Sequence, residues 1–527
     1  MESFPFGYER IAGTTWAYLS SLLMLALFFK FNRFWSVRNL DLVLIILLAP
    51  GLLLVDSGRR WVALDKVQTA REAGVSVELS DDGLEVSQPV VDVTGDGPNS
   101  ATENPNSIVG ASSALGSDPT SELAGPGSGL QEPSLDSQGH RWQRWGYYWL
   151  FSIGGIFLVR MLIDPSLTRR PLLDPNLTIG GLVFFACSLM IFLFANIVTS
   201  APNSENLTGA RNAVKLLQRK AAEESDTNEL RRRGPGYALF NLFPIIPSFE
   251  SGDAILNTDA DQKTEVNMSR YIVAAKSLAI ASQILMVLGL ILFCHYNYNN
   301  FKAGVGAATI YLMLPYTAMF TGHVLHILPA ALILWSLVCF RRPWLTGILF
   351  GLAIGVSYYP LFLLPLWVSF YWNRGVGRFT IGVLISIGIC ICGLLFTSVD
   401  MVVFLEQLKA MFGFWEPMMD GLLGIWSLGW SRWWRVPLLV TFVLFCVSFV
   451  AWPAEKNIGT LVSYSAAIML AVQFWHGFYG GLYMAWYLPM VLLIVFRPNL
   501  SGRVAIAELG EPKRRHKETA KDLLTEA

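Results

Sequence analysis

Residues 322–378 read GHVLHILPAALILWSLVCFRRPWLTGILFGLAIGVSYYPLFLLPLWVSFYWNRGVGR. Three apolar runs, near 324–340, 344–358 and 360–372, carry no charge. The charged residues of the stretch are Arg341, Arg342, Arg374 and Arg378, all outside those runs. Apolar runs separated by short basic turns mark a chain that threads a bilayer repeatedly, because a lipid-facing helix must be apolar and basic residues stay in loops on one face. Pro360 has no amide hydrogen and disfavours helix at Tyr359, so the second and third runs are predicted to break there. Non-helical backbone at membrane depth is tolerated only where it is buried or lines a cavity.

The same pattern extends in both directions. About thirteen candidate spans lie near 12–29, 40–55, 146–163, 178–199, 271–294, 303–321, 324–340, 344–358, 360–372, 379–397, 436–452, 458–475 and 482–496. The expected fold class is therefore all-α, a polytopic membrane helix bundle. Composition agrees: 53% of residues are hydrophobic and 15% charged, against roughly 25% charged in a soluble domain. With 39 basic and 39 acidic residues there is no chain-wide field to hold nucleic acid. The 18 tryptophans suit the membrane–water interface. All six cysteines fall in apolar runs without a CxxC, so neither disulfides nor a zinc site is expected. The first run has no cleavage-site pattern and reads as a retained helix.

Orientation follows from the basic loops. Lys30, Arg33 and Arg38; Arg169 and Arg170; Lys302; Arg341 and Arg342; Arg374 and Arg378; and Lys513, Arg514, Arg515 and Lys517 all fall on one side of a thirteen-span chain. That side is expected to be the cytoplasm, with the N-terminus outside and the C-terminus inside. The resulting organisation is two N-terminal transmembrane helices (1–56), an outer loop (57–142), a third helix and cytoplasmic loop (143–177), a membrane core (178–500) that includes an outer loop at 200–270, and a basic tail (501–527). The outer loop 57–142 is rich in Ser, Gly, Pro, Asp and Asn, with Pro89–Ser137 nearly free of aromatics, and is expected to be largely disordered. An amphipathic helix is expected over Leu207–Glu224, with Ala210, Ala213, Val214 and Leu217 as its apolar stripe, lying on the bilayer surface or capping the bundle.

No soluble-enzyme motif is present, so chemistry must come from polar residues at the mouth of the bundle. The outer-face candidates are Glu205 with Asn206, His323, His326, Tyr358, Tyr359, Glu406, Glu416, Asp420, Arg432, Arg435 and His476. Glu205 is a possible general base or a solvated loop carboxylate. His323 and His326 can share a helix face, but two histidines without a carboxylate make a poor metal site and also read as headgroup-level polar groups. Trp415, Trp426, Trp430, Trp433 and Trp434 read as an interfacial belt ahead of a sugar-stacking platform. Asp41 and Asp56 are expected to mark the ends of a span. Lys276 and Gln283 are expected to face the bundle interior.

The quoted stretch resembles the core of the GT-C superfamily, integral-membrane glycosyltransferases that take sugars from polyprenyl-phosphate donors, and in particular the bacterial polyprenyl-phosphate-mannose type. The matching positions are Gly322 with His323, then Arg341, Arg342 and Pro343, then Gly351 and Gly355, and the corner Ser357, Tyr358, Tyr359, Pro360 with Pro365 beyond. A weaker likeness covers about 178–340 and the closing Trp486, Tyr487, Leu488, Pro489, so the resemblance places a GT-C-like core at 178–500. It implies a transferase of hexosyl type moving a sugar from a polyprenyl-phosphate donor to an extracytoplasmic acceptor, in a bacterial cytoplasmic membrane.

Its catalytic base, an Asp in the first outer loop, corresponds here to Glu205. The family's corner Lys is Ser357 and its Gly-Gln pair is Gly322 with His323, so Arg270, Arg432 or Arg435 would have to meet the donor phosphate. The implied donor-binding set is His323, Tyr358, Tyr359, Arg270, Arg432 and Arg435, with the bilayer and the lipid-linked donor as partners and no cofactor; the sequence itself points to no metal, though some members of the superfamily use one. A non-catalytic scaffold or lipid-binding subunit of the same fold is the alternative. A transporter is a third reading, though the chain shows no internal repeat and its charges gather at span ends.

Overall fold

The computed structural model describes residues 12–72, 78–80, 83–85, 135–167, 173–202, 204–217, 233–249, 260–398, 400–410, 421–453 and 456–498. They are helical apart from connecting turns and one short antiparallel hairpin, in which β1 (Glu78–Ser80) pairs with β2 (Gly83–Glu85). The chain forms two compact units, residues 58–141 and the remainder.

Among the described residues, seven helical segments are long and apolar enough to cross a membrane: Val37–Thr69, Gln138–Ser166, Ile179–Thr199, Met268–Tyr298, Val376–Phe396, Arg432–Ala451 and Ile458–Trp475. Five apolar helices are shorter, Gly13–Phe28, Phe301–Met313, Val324–Val338, Pro343–Val356 and Tyr359–Tyr371. Proline explains several of their ends. Pro315 and Pro343 occupy the first turns of new helices, and Pro360 opens a short 3-10 turn at Tyr359–Leu363. The expected break at Tyr359 is present, with Ser357 extended beyond the end of Pro343–Val356. A break at Leu314, inside the run 303–321, is an additional one.

In chain order the helices are α1 (Gly13–Phe28), α2 (Val37–Ile46), α3 (Leu48–Glu72), α4 (Leu135–Ile163), α5 (Ile179–Thr199), α6 (Ser204–Leu217), α7 (Pro235–Phe249), α8 (Ala260–Tyr298), α9 (Phe301–Met313), α10 (Pro315–Met319), α11 (Val324–Val338), α12 (Pro343–Val356), α13 (Leu364–Tyr371), α14 (Val376–Thr397), α15 (Met401–Ala410), α16 (Arg435–Ala451), α17 (Ile458–Trp475) and α18 (Leu488–Val495). Helix α3 does not stop at Asp56 but continues to Glu72. Of the outer loop 57–142, expected to be largely disordered, residues 57–72 continue α3, 78–80 and 83–85 form the hairpin and 135–142 belong to α4, while the rest lie outside those described. Arg169, Arg170 and the tail arginines and lysines also lie outside the described residues.

Buried helices α9, α11, α17 and α18 form the centre. Others, such as α14 and α16, present Leu384, Ile385, Ile389, Leu444 and Val447 outward. The tightest helix crossing joins α12 to α14. Gly347, Gly351 and Gly355 recur every four residues on α12, facing Gly382, Ser386 and Cys390 at the same spacing on α14. Small residues at such spacing let backbones approach where no hydrophobic driving force separates helix from lipid. The Ser386 hydroxyl donates to the Ile348 carbonyl at 2.7 Å across this seam. A Cβ at Gly382 would collide with the Trp344 carbonyl. Gly382→Leu is therefore expected to destabilise the protein by at least about 2 kcal/mol through overpacking, read as a lowered thermal midpoint in detergent, with Gly388→Leu, where an added Cβ meets nothing within 4 Å, unchanged as control.

One end of the bundle holds a buried ion network. Arg160 of α4 donates from Nε and Nη2 to both carboxylate oxygens of Asp41 at 2.7 and 2.8 Å, and from Nη1 to Asp164 at 2.9 Å. Asp164 also accepts from the Ser463 hydroxyl at 3.0 Å and pairs with Arg497 at 3.4 Å. Arg38 donates to the carbonyls of Ile494 and Arg497, satisfying groups that the end of α18 leaves without helical partners. Asp41, expected only to mark a span end, is thus fully buried and ties α2 to α4.

Candidate functional site

The opposite end of α17, ~27 Å away over its 18 residues, gathers most of the sequence-derived candidates. Glu205 lies in the first turn of α6, where the helix dipole favours a carboxylate. The α6 stripe Ala210, Ala213 and Val214 is buried with Ile245 of α7 and Ala274 of α8, so the helix caps the bundle. It runs from Ser204 to Leu217, and the rest of the expected Leu207–Glu224 helix falls outside the described residues.

Three hydrogen bonds to backbone carbonyls bring distant segments together around Glu205. The Asn206 side-chain amide donates to the Gly322 carbonyl. The Tyr237 hydroxyl donates to the Glu205 carbonyl at 3.3 Å and lies 3.4 Å from Asn206 Oδ1. The Gly234 amide donates to the Val356 carbonyl at 3.2 Å, and a side chain at Gly234 or Gly236 would strike the Gly355 backbone. The loop before α7 is thereby seated on the residues that precede Ser357. Its Arg233 pairs with Glu205 (Nη2 to Oε1, 3.4 Å) and lies over the Tyr237 ring at 5.3 Å. The Glu205 side chain remains 39% exposed and that of Arg233 14%.

From Gly322 the site continues as a run of stacked rings. His323, half-buried, meets the Phe320 and His326 rings edge-on at 5.0 and 5.2 Å. His326 shares a 2.7 Å hydrogen bond with the Tyr316 hydroxyl and stacks on Tyr483 at 4.2 Å. Tyr483 adjoins His476 at 4.7 Å, and His476 adjoins Tyr359 at 4.5 Å. Tyr359 also packs on Trp475 and Trp486. His476 Nδ1 accepts from the Phe478 amide at 3.1 Å, which places its proton on Nε2. Burial and the nearby Arg435 push this imidazole down to about 3, so it stays neutral. Rings packed this closely against one another hold the helix ends in place and offer few open faces.

The structure separates the other candidates. Arg435 reaches the ring cluster, donating from Nε to the Trp475 carbonyl at 3.0 Å. Arg432 is exposed in the 3-10 turn before α16, and Arg270 is half-buried on α8. Tyr358 turns from Tyr359 and is buried with Leu394 and Phe404. Glu406 is exposed on α15. Trp415, Glu416 and Asp420 lie outside the described residues. Trp433 is 71% exposed and Trp434 similar, as an interfacial belt requires, but Trp426 is buried and donates to the His476 carbonyl at 2.9 Å. Gln283 faces inward, donating to the Thr321 carbonyl and accepting from the Tyr311 hydroxyl, while Lys276 donates to the Val198 carbonyl. Among the described residues no group of three or more His, Cys, Asp or Glu gathers to hold a metal.

Arg233 is the site residue that the spacing of motifs does not reveal. The sequence does carry a signal for it: Arg231, Arg232 and Arg233 precede Gly234, Pro235 and Gly236 within a segment expected to lie outside. Three arginines there run against the rule that basic residues stay in cytoplasmic loops. No protein-family model matches the chain, and neither a curated protein nor a solved structure matches it.

Proposed function

We propose that this chain is a membrane glycosyltransferase that moves a sugar from a polyprenyl-phosphate donor to an extracytoplasmic acceptor hydroxyl. The observation that supports this reading is the meeting, at one bundle end, of Glu205 and Asn206, the Gly322–His323 turn and the broken corner after Val356. These are the segments that the resemblance to GT-C transferases singles out, and they are 150 residues apart in the chain at their extremes, from Asn206 to Val356. Glu205 deprotonates the acceptor hydroxyl as it attacks the anomeric carbon, and the carrier's phosphate leaves against a cationic side chain. Release of polyprenyl phosphate from a panel of lipid-linked sugars by the purified protein tests the reading.

The reading includes about thirteen crossings, the N-terminus outside, and a bacterial cytoplasmic membrane as the location. A thiol introduced by Thr120→Cys is expected to react with an impermeant reagent in intact cells, and one introduced by Val376→Cys is expected to stay unlabelled until the membrane is opened. The reverse labelling would move the site to the cytoplasmic face and remove an extracytoplasmic acceptor. A second reading, a non-catalytic scaffold of the same fold, draws support from Ser357, which puts a neutral hydroxyl at the corner, and from the ion pair that occupies Glu205. Binding of the carrier without turnover of any donor would favour it.

A further inference from the structure

We infer that Arg233 is the phosphate-binding residue of this site, and that it exchanges the Glu205 carboxylate for the phosphate of its ligand. The inference deepens the transferase reading and rests on it for the identity of the ligand, though its geometry stands separately. Arg233 is followed directly by anchored backbone: the Gly234 amide donates to the Val356 carbonyl, and glycines meet backbone to backbone at Gly234, Gly236 and Gly355. Its guanidinium is held between the Tyr237 ring and the Glu205 carboxylate. A planar guanidinium presents donors on more than one edge and matches phosphate as well as carboxylate.

The Glu205 pair is an exchangeable partner because of its geometry. At 3.4 Å it is longer than a close charge-assisted bond, and the carboxylate is partly in water. A lipid-linked sugar phosphate arriving beside Ser357 is a phosphodiester with one negative charge, and its two non-bridging oxygens can take two guanidinium donors at closer range than the 3.4 Å pair with Glu205. It therefore draws Arg233 from Glu205 and relieves the carboxylate of this cation. Ligand arrival and this release are then one event. With the site empty, the carboxylate stays paired with Arg233.

The test uses the full-length protein in detergent and titrates decyl phosphate and inorganic phosphate separately, by calorimetry. Arg233→Gln is expected to weaken phosphate binding at least about tenfold, as loss of a hydrogen bond to a charged group does. Arg233→Lys keeps the charge and should recover part of that loss. Glu205→Gln removes the competing carboxylate and is expected to tighten binding severalfold, a change that a purely structural ion pair would not give. Thermal unfolding of each variant checks that it is folded. Tighter binding of decyl phosphate assigns the site to a lipid headgroup, and equal affinities assign it to the phosphate group alone; both support the role of Arg233.

Arg233→Gln and Arg233→Lys binding as tightly as the parent, or a parent that binds neither ligand, overturns the inference. Arg233-dependent binding in a protein that turns over no donor keeps the inference and removes the transferase reading. Donor turnover unaltered by Arg233→Gln does the opposite.

Discussion

Glu205→Gln is expected to lower donor turnover by about a hundredfold or more while the protein stays folded. The substitution keeps the size of the side chain and its hydrogen-bonding capacity but removes the proton acceptor. The backbone contacts around it do not depend on the carboxylate: Tyr237 donates to the residue 205 carbonyl, and the neighbouring Asn206 side chain makes the bond to Gly322. Glu205→Asp shortens the reach by one methylene and should retain activity. The assay is release of polyprenyl phosphate at saturating donor, with thermal unfolding as the control for folding. Turnover at the parental rate in Glu205→Gln would make Glu205 a solvated partner of Arg233 and nothing more.

The second large effect is on stability. Asp164→Ala should destabilise the protein by about 3–5 kcal/mol, the range for removing one member of a buried ion network. Asp164 is fully buried and receives Arg160, Arg497 and Ser463 together. Its loss strips two guanidinium groups of a carboxylate in a place with little water. Asp164→Asn retains the hydrogen-bond acceptor for Ser463 and should cost less. Yield of folded protein and the thermal midpoint in a single detergent measure both variants. A midpoint for Asp164→Ala within a degree of the parent would mean that the network is solvated in the membrane-embedded protein.

Helix positions are legible where the bilayer dictates composition. The apolar pattern places spans at 178–199 and 458–475, and the helices are Ile179–Thr199 and Ile458–Trp475. It does not show that α3 outlasts its apolar part, because a helix can continue through Arg59, Arg60, Asp65 and Lys66 once it has left the hydrocarbon. Nor does it show the true surroundings of Asp41. Its partner Arg160 lies 119 residues further on, and no local periodicity connects the two. The same limit applies at the candidate site. Proline chemistry forecasts the break after Val356, but the seating of Gly234 on Gly355 is a contact between segments that share no pattern. Tyr358 and Tyr359 are neighbours in sequence and diverge in space because both lie in a tight helical turn, where successive side chains point roughly 120° apart.

The ion network also has a consequence for the order in which the molecule is made. Asp41 meets Arg160 once α4 has been synthesised, 119 residues later, so this pair can form early in insertion. Arg38 and the carbonyl of Arg497 are 459 residues apart, and Asp164 waits for the Arg497 guanidinium as well. Until then Arg38 lacks its two carbonyl acceptors, while Asp41 on the same helix already lies beside it. Seating α18 against α2 is therefore the step that completes the network, so this end of the bundle can reach its final hydrogen-bond pattern only after Arg497 has been made.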